Sequence, residues 1–176
     1  MTKESSFSCA QGMLYYMAVK IAIGQYCERI EIAGSVRRKQ ATCHDLDIVI
    51  IPKPDCMDRI KNLCLSHHPP ALFGGADIPD PKWGEKLASF SWDGYVQVDL
   101  YFCDITTFPV IYLIRTGSKE HNIKLTTLAK SKGMLLAAEG YLYADRLKQR
   151  TIHVNSEADV LYALGLAYIE PEKREA

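Results

Sequence analysis

Residues 33–50 read AGSVRRKQATCHDLDIVI, and this stretch decides the fold. From Leu46 to Ile51 the chain is apolar and mostly β-branched, and Pro52 stops the run, as expected of a central strand. Asp45 and Asp47 stand at its mouth. Side chains alternate along a strand, so the two carboxylates point one way while Leu46 turns into the core. Neighbouring carboxylates repel and are costly unless a cation lies between them. Mg²⁺ suits the position, being a hard ion that takes one or two carboxylates plus phosphate oxygens. Upstream, a short strand over 30–33 runs into Gly34-Ser35-Val36-Arg37-Arg38. Glycine lets backbone N–H groups close on a phosphate, the serine hydroxyl adds a donor, and an arginine grips phosphate oxygens in a fork. A lone Asp-x-Asp is common and so is a Gly-Ser turn. The two within a dozen residues, ahead of an apolar strand, are far rarer.

Working outward, a third acid, Asp99, lies in Val98-Asp99-Leu100 on another apolar strand. A mid-strand acid with apolar neighbours is poorly explained as a solvated face. Beside Asp47 on an adjacent strand it completes a three-carboxylate site for two metals, which clamps the attacking and leaving oxygens of a phosphoryl transfer. Strands over 86–92 and 95–102 are joined by Asp93-Gly94, suited to a type I′ hairpin turn. Apolar spacing at Met13, Leu14, Met17, Ala18 and Ile21 predicts a helix over 9–28. Further helices are predicted over 58–65, 106–115 and 118–130, the last capped by Ser118 and closed by Lys132-Gly133. Residues 69–83, rich in Pro and Gly, read as an exposed loop. Strand-like segments over 135–143 and 151–154 precede a last helix to Leu164, capped by Ser156 with Asp159. The expected class is α+β: a mixed sheet with helices on one face over 1–107, then a smaller α/β unit over 108–176.

The bulk properties bound the function. The chain has 176 residues, 48% hydrophobic and 24% charged, with no low-complexity stretch, which is ordinary for a folded protein. No apolar run approaches the roughly 20 residues that cross a bilayer. The N-terminus lacks a signal-peptide core, so a soluble protein with no membrane partner is expected. Six cysteines are scattered without a CxxC pair, which fits free thiols in a reducing compartment. Cys56, Cys64, His67 and His68 form a local cluster, but their spacing matches no common zinc pattern. Formal net charge is zero, which argues against tight non-specific binding of nucleic acid by the whole surface. Residues 115–150 nevertheless hold eight Lys/Arg and three Asp/Glu, an excess of five positive charges. That segment is either a face for a polyanion or a solvated helix surface.

The string at 33–50 resembles the palm signature of family X DNA polymerases, the DNA polymerase beta group of the nucleotidyltransferase superfamily. VQVDLYF (96–102) resembles the strand bearing that family's third metal-binding acid. TGSKEHNIKLTTLAKSKGMLLAAEGYLY (116–143) is similar to its thumb, and EADVLYALGLAYIEPEKRE (157–175) to its closing helix and tail. The resemblance implies a palm over 1–107 and a thumb over 108–176. It implies that Asp45 and Asp47 bind two Mg²⁺ ions, which Mn²⁺ can replace, and that Asp99 binds the catalytic metal and helps activate a primer 3′-OH. Gly34, Ser35 and Arg38 would hold the β- and γ-phosphates of an incoming nucleoside triphosphate. Gly117 and Ser118 would form the turn beside its sugar, and Asn122 would reach the base edge. Primer-template or gapped DNA would be the acceptor, with Lys119, Lys124, Lys130 and Lys132 near its backbone. A monomeric, cytoplasmic protein of a bacterium, phage or virus is the implied setting.

Departures from the family pattern carry expectations of their own. Ile114-Arg115 stands where an aromatic pair or Gly-Trp usually precedes the TGS turn, so exclusion of ribonucleotides is not assumed. His44 replaces the usual small residue before the first metal acid and would crowd or assist the triphosphate. Thr126 replaces an arginine common near the templating base, which points to low fidelity. About 30 residues precede the palm-like stretch, where relatives usually carry a lyase domain and helix-hairpin-helix elements. Weak, salt-sensitive DNA binding and no lyase activity follow as expectations. The rival readings are a nucleotidyltransferase acting on RNA, a small molecule or a protein, and a non-catalytic binding relic. The relic reading usually goes with loss of a metal acid, and all three acids are present.

Overall fold

The computed structural model describes residues 6–68 and 80–175. The chain divides after Phe102 into two compact units. In the first, the elements in order are α1 (Cys9–Ile23), β1 (Cys27–Ile32), α2 (Gly34–Arg37), β2 (Asp45–Pro52), α3 (Met57–Ser66), β3 (Lys82–Trp83), β4 (Leu87–Trp92) and β5 (Val96–Phe102). Five strands form one mixed sheet in the order β1-β2-β5-β4-β3, with β2 and β5 parallel and the other pairs antiparallel. One face carries the core. Leu46, Ile48 and Ile50 of β2 and Val98 and Leu100 of β5 are fully buried there, as are Val19 and Ile23 of α1 and Ile60 and Cys64 of α3. Fully burying one such aliphatic side chain contributes about 1.5–3 kcal/mol, so this face fixes the register of the sheet. On the opposite face of β2 and β5, Asp45, Asp47, Gln97 and Asp99 stand at one end, followed by buried Val49, Ile51 and Tyr101.

Helix α1 forms, but with the other face inward. Gly12, Tyr16, Val19 and Ile23 are buried, while Leu14 is 71% and Ile21 77% exposed. The helix is apolar nearly all round, so periodicity alone does not choose a side. Close approach chooses it: a Cβ on Gly12 would lie 2.6 Å from the Val36 side chain, and the Tyr16 hydroxyl donates to the Ile30 carbonyl at 3.0 Å. The helix also ends sooner than expected, passing through a 3₁₀ turn at Gly24–Tyr26 before β1.

The β4–β5 hairpin has the expected turn and an unexpected register. Asp93 and Gly94 both take positive φ, and Tyr95 N–H closes the turn on the Trp92 carbonyl at 3.0 Å. A plain two-residue connection would pair Trp92 with Tyr95 and set Ala88 opposite Asp99. Instead Tyr95 is an extra residue, 69% exposed, and Trp92 pairs with Val96. The slip of one residue keeps Ala88 and Phe90 in the core and sets Ser89 opposite Asp99. Another difference is at residues 82–83, expected in a loop, which form edge strand β3 against β4. Most of that predicted loop, 69–79, lies outside the described residues.

The second unit contains α4 (Phe108–Thr116), α5 (Lys119–Ser131), β6 (Leu135–Leu136), β7 (Leu142–Tyr143), β8 (Thr151–Ile152) and α6 (Glu157–Ala163). Its three strands form an antiparallel sheet, β6-β7-β8. Ser118 and Ser156 cap α5 and α6 by accepting from His121 N–H and Asp159 N–H. Val110, Leu113, Leu125, Ala129, Leu142, Val160, Leu161 and Leu164 make its core. Arg174 is buried completely within this unit and donates to Glu157 at 2.7 Å.

Candidate active site

Asp47 on β2 is the register partner of Asp99 on the parallel strand β5. Asp45 precedes Asp47 by two residues and therefore shares its face. One carboxylate oxygen from each of the three lies within 4.8 Å of the others, a spacing that suits a metal ion. Burial, and then the charge of Asp99, holds the Asp45 carboxyl above the usual carboxylate range, while His44 and Arg38 pull it down. Like charges gathered this closely repel one another, and a cation between them would relieve that repulsion. Two hydroxyls steady the acids: Tyr101 donates to Asp47 Oδ1 at 3.1 Å and Ser89 to Asp99 Oδ1 at 2.5 Å.

The Gly-Ser turn is built against the same acids. Ala33 N–H donates to the Asp47 carbonyl at 2.8 Å, tying the turn to β2. Gly34 has φ +57°, and a Cβ there would overlap the Asp47 carboxyl group. The short helix α2 then begins, so the expected turn is the first residue of a helical turn rather than an open loop. The Ser35 hydroxyl oxygen is buried and has no hydrogen-bond partner among the described residues, as suits a donor waiting for an anion. Gly34→Ala is expected to displace the Asp47 carboxylate and to cost on the order of 100-fold in the nucleotide transfer that the resemblance implies. It should also cost about 1–2 kcal/mol of stability, because L-residues are strained at this φ. Turnover together with a thermal melt checks both.

The remaining nucleotide candidates lie in the second unit. Gly117, with φ +66°, and Ser118 are joined by a cis peptide bond. Ser118 N–H donates to the Arg174 carbonyl at 2.9 Å, so the chain's tail holds this turn. Asn122 donates its side-chain amide to the Ile114 carbonyl at 2.7 Å, and its Oδ1 is buried without a partner among the described residues. His121, also buried, is held below the usual histidine range by burial and then by Arg174. Lys119, Lys124, Lys130 and Lys132 are all exposed. They do not form one row: Lys132 is the C-cap of α5, and its ammonium lies close to Gly165. Thr126 returns its hydroxyl to the carbonyls of Asn122 and Ile123.

The Cys56, Cys64, His67 and His68 cluster is occupied otherwise. His67 stacks on Trp92 with ring centres 3.9 Å apart and pairs with Asp93 at 2.9 Å. His68 accepts Ser91 N–H at 3.1 Å, and burial pushes the Cys64 thiol up to about 12. Sequence reasoning missed Ser89, Gln97 and Tyr101, whose roles depend on cross-strand register.

Known proteins resemble this chain in sequence and in fold. Residues 111–175 match the family model for the DNA polymerase beta thumb. Human DNA-directed DNA/RNA polymerase mu is 33% identical over 113 residues, 64% of this chain and 20% of that protein. The DNA polymerase/3′-5′ exonuclease PolX of Bacillus subtilis (strain 168) is 31% identical over 144 residues, 82% of this chain and 24% of that protein. The chain thus spans about a fifth to a quarter of the length of these curated relatives. The Leishmania infantum polymerase beta ternary gap complex matches with a TM-score of 0.79 at 18% identity, covering 97% of this chain and 71% of that one. The ternary P/T complex of the same enzyme matches with a TM-score of 0.72 at 20% identity, covering 97% and 77%. The fold is that of a nucleotidyltransferase. Within that class, the chain is similar in sequence to polymerase mu and PolX, and over residues 111–175 to the polymerase beta thumb.

Among the described residues no helix is long and apolar enough to cross a membrane.

Proposed function

We propose that this chain is a DNA-directed DNA polymerase that adds nucleotides to a primer 3′-OH in gapped or primer-template DNA, with low fidelity. The observation that carries the reading is the convergence of Asp45, Asp47 and Asp99 on adjacent strands beside a Gly-Ser turn. Asp45 and Asp47 would hold two Mg²⁺ ions, and Asp99 would join them as a ligand of the catalytic one. When bound, the ions supply positive charge to the transferring phosphoryl group. The protein's own part is positioning. Ser35 offers its hydroxyl to the triphosphate, and Arg38, whose charge already acts on Asp45, grips phosphate oxygens. By the family resemblance, Gly117 and Ser118 would offer backbone to the sugar, and Asn122 would reach the base edge. Lys119, Lys124 and Lys130 offer charge to the DNA backbone, and loss of one should lower affinity and its salt dependence together. Two of the relatives are polymerases, which supports this reading.

The test is primer extension on a one-nucleotide gap and on an open template, with Mg²⁺ or Mn²⁺ at low salt, using each deoxy- and ribonucleotide. Templated, metal-dependent extension is expected on both. Nucleotide binding without extension of any DNA would move the reading to another acceptor. Absence of metal-dependent nucleotide binding would end it.

A further inference from the structure

Asp99 sits on β5 between Gln97 and Tyr101, which share its face, and none of these neighbours carries a positive charge. Among the described residues, what holds its carboxylate is a neutral chain of hydrogen bonds. Ser89, directly opposite on β4, lies with its Oγ 2.5 Å from Asp99 Oδ1, and Gln97 Nε2 lies 2.8 Å from the same Oγ. Amide nitrogen donates only, so Gln97 occupies the acceptor side of the Ser89 hydroxyl. The single hydroxyl proton is thereby committed to the Asp99 carboxylate. Each bond polarises the next. Gln97 is also the register partner of Asp45, so the relay runs along the β5 side of the three-acid cluster.

We infer that Ser89 and Gln97 are positioning residues for Asp99: the relay pins one carboxylate oxygen and fixes the rotation of the group. This inference rests on the metal-binding reading of the three acids. A pinned carboxylate needs no reordering when an ion arrives, and groups that orient metal ligands in this way typically govern 10–100-fold of affinity or activity. The pair is specific to this register. Had the hairpin closed with two residues, Ala88 would stand opposite Asp99 with no donor to give.

The experiment measures Mn²⁺ binding by electron paramagnetic resonance, without DNA or nucleotide, on the wild type, Ser89→Ala, Ser89→Thr and Gln97→Met. Primer extension and metal-free thermal melts accompany it. Ser89→Ala is expected to bind Mn²⁺ about 10-fold more weakly and to need proportionally more metal for half-maximal extension. Gln97→Met, which leaves the hydroxyl free to turn, should shift both about 3-fold, and Ser89→Thr should restore both. Metal-free melting within a few degrees of wild type in Gln97→Met separates positioning from support of the fold. Equal Mn²⁺ affinity in wild type and Ser89→Ala would overturn the inference while leaving the proposed function standing. A threonine variant as weak as the alanine one would also overturn it, since the hydroxyl would not be the active feature. Failure of the wild type itself to bind Mn²⁺ would instead remove the metal reading on which both rest.

Discussion

Asp99→Asn is expected to lower primer extension at least about 1,000-fold while raising the melting temperature of the metal-free protein. The two effects come from one charge. Metal-assisted stabilisation of a transferring phosphoryl group contributes several kcal/mol, and each 1.36 kcal/mol is tenfold in rate, so losing about 4 kcal/mol gives the stated factor. Stability moves the other way because the three acids repel when no ion joins them. Burial, and after it the charge of Asp99, holds the Asp45 carboxyl above its ordinary range. A carboxyl whose pKa is raised by folding adds stability below its unfolded value, about 3.9, and loses it as pH rises through the folded value. At neutral pH the cluster therefore opposes folding. Asparagine removes the second cause of that opposition and keeps an oxygen for the Ser89 hydroxyl at the same place. A gain of a few degrees is the expected scale for a relief of about 1 kcal/mol. Excess Mg²⁺ should raise the melting temperature of the wild type and leave the variant nearly unmoved. An inactive variant that melts lower without metal and still gains from Mg²⁺ would show that Asp99 serves the fold and not the ion.

Much of this site could be read before the structure, and the reason is local geometry. Asp45 and Asp47 follow from the period of two along a strand whose alternate residues, Leu46, Ile48 and Ile50, had to be buried. The acid in Val98-Asp99-Leu100 follows from the same alternation, and parallel pairing sets it beside Asp47. Gly34 was read as letting the backbone close on a phosphate; its packing against the Asp47 carboxyl was not foreseen. The misses share a cause. Which face of α1 turns inward depended on Gly12 against Val36, a contact between segments far apart in sequence. The Ser89–Asp99 bond depended on one extra hairpin residue, Tyr95, which reverses the face of every residue on β4. The short edge strand β3 depended on β4 being present to receive it. Tertiary partners decide such points, and pattern within a window does not contain them. The buried Arg174 was likewise invisible, since a charged residue near a chain end ordinarily reads as solvated.

Glu157→Ala is expected to destabilise the second unit by about 3–5 kcal/mol, the cost of leaving a buried charge without its counter-charge. Arg174 has no exposed surface, and its guanidinium donates to Glu157 at 2.7 Å and to the Ile169 carbonyl at 2.9 Å. Residues 103–176 make 74 positions, and at roughly 0.05–0.15 kcal/mol per residue such a unit holds about 4–11 kcal/mol in all. The substitution therefore removes a large share of it. Local consequences come first at the tail, whose Arg174 carbonyl accepts Ser118 N–H and so holds the Gly117–Ser118 turn. Loss of nucleotide affinity is expected at temperatures where α4 to α6 are still folded. Glu157→Gln keeps an acceptor for the guanidinium and should cost less than half as much. Replacing both partners, Glu157→Leu with Arg174→Met, should cost far less than Glu157→Ala alone, because no charge is then stranded. Hydrogen exchange over 103–175, read with urea unfolding, checks the ordering. If the double replacement proves as damaging as the single one, the pair is not held by charge compensation, and shape at this position decides the stability of the unit.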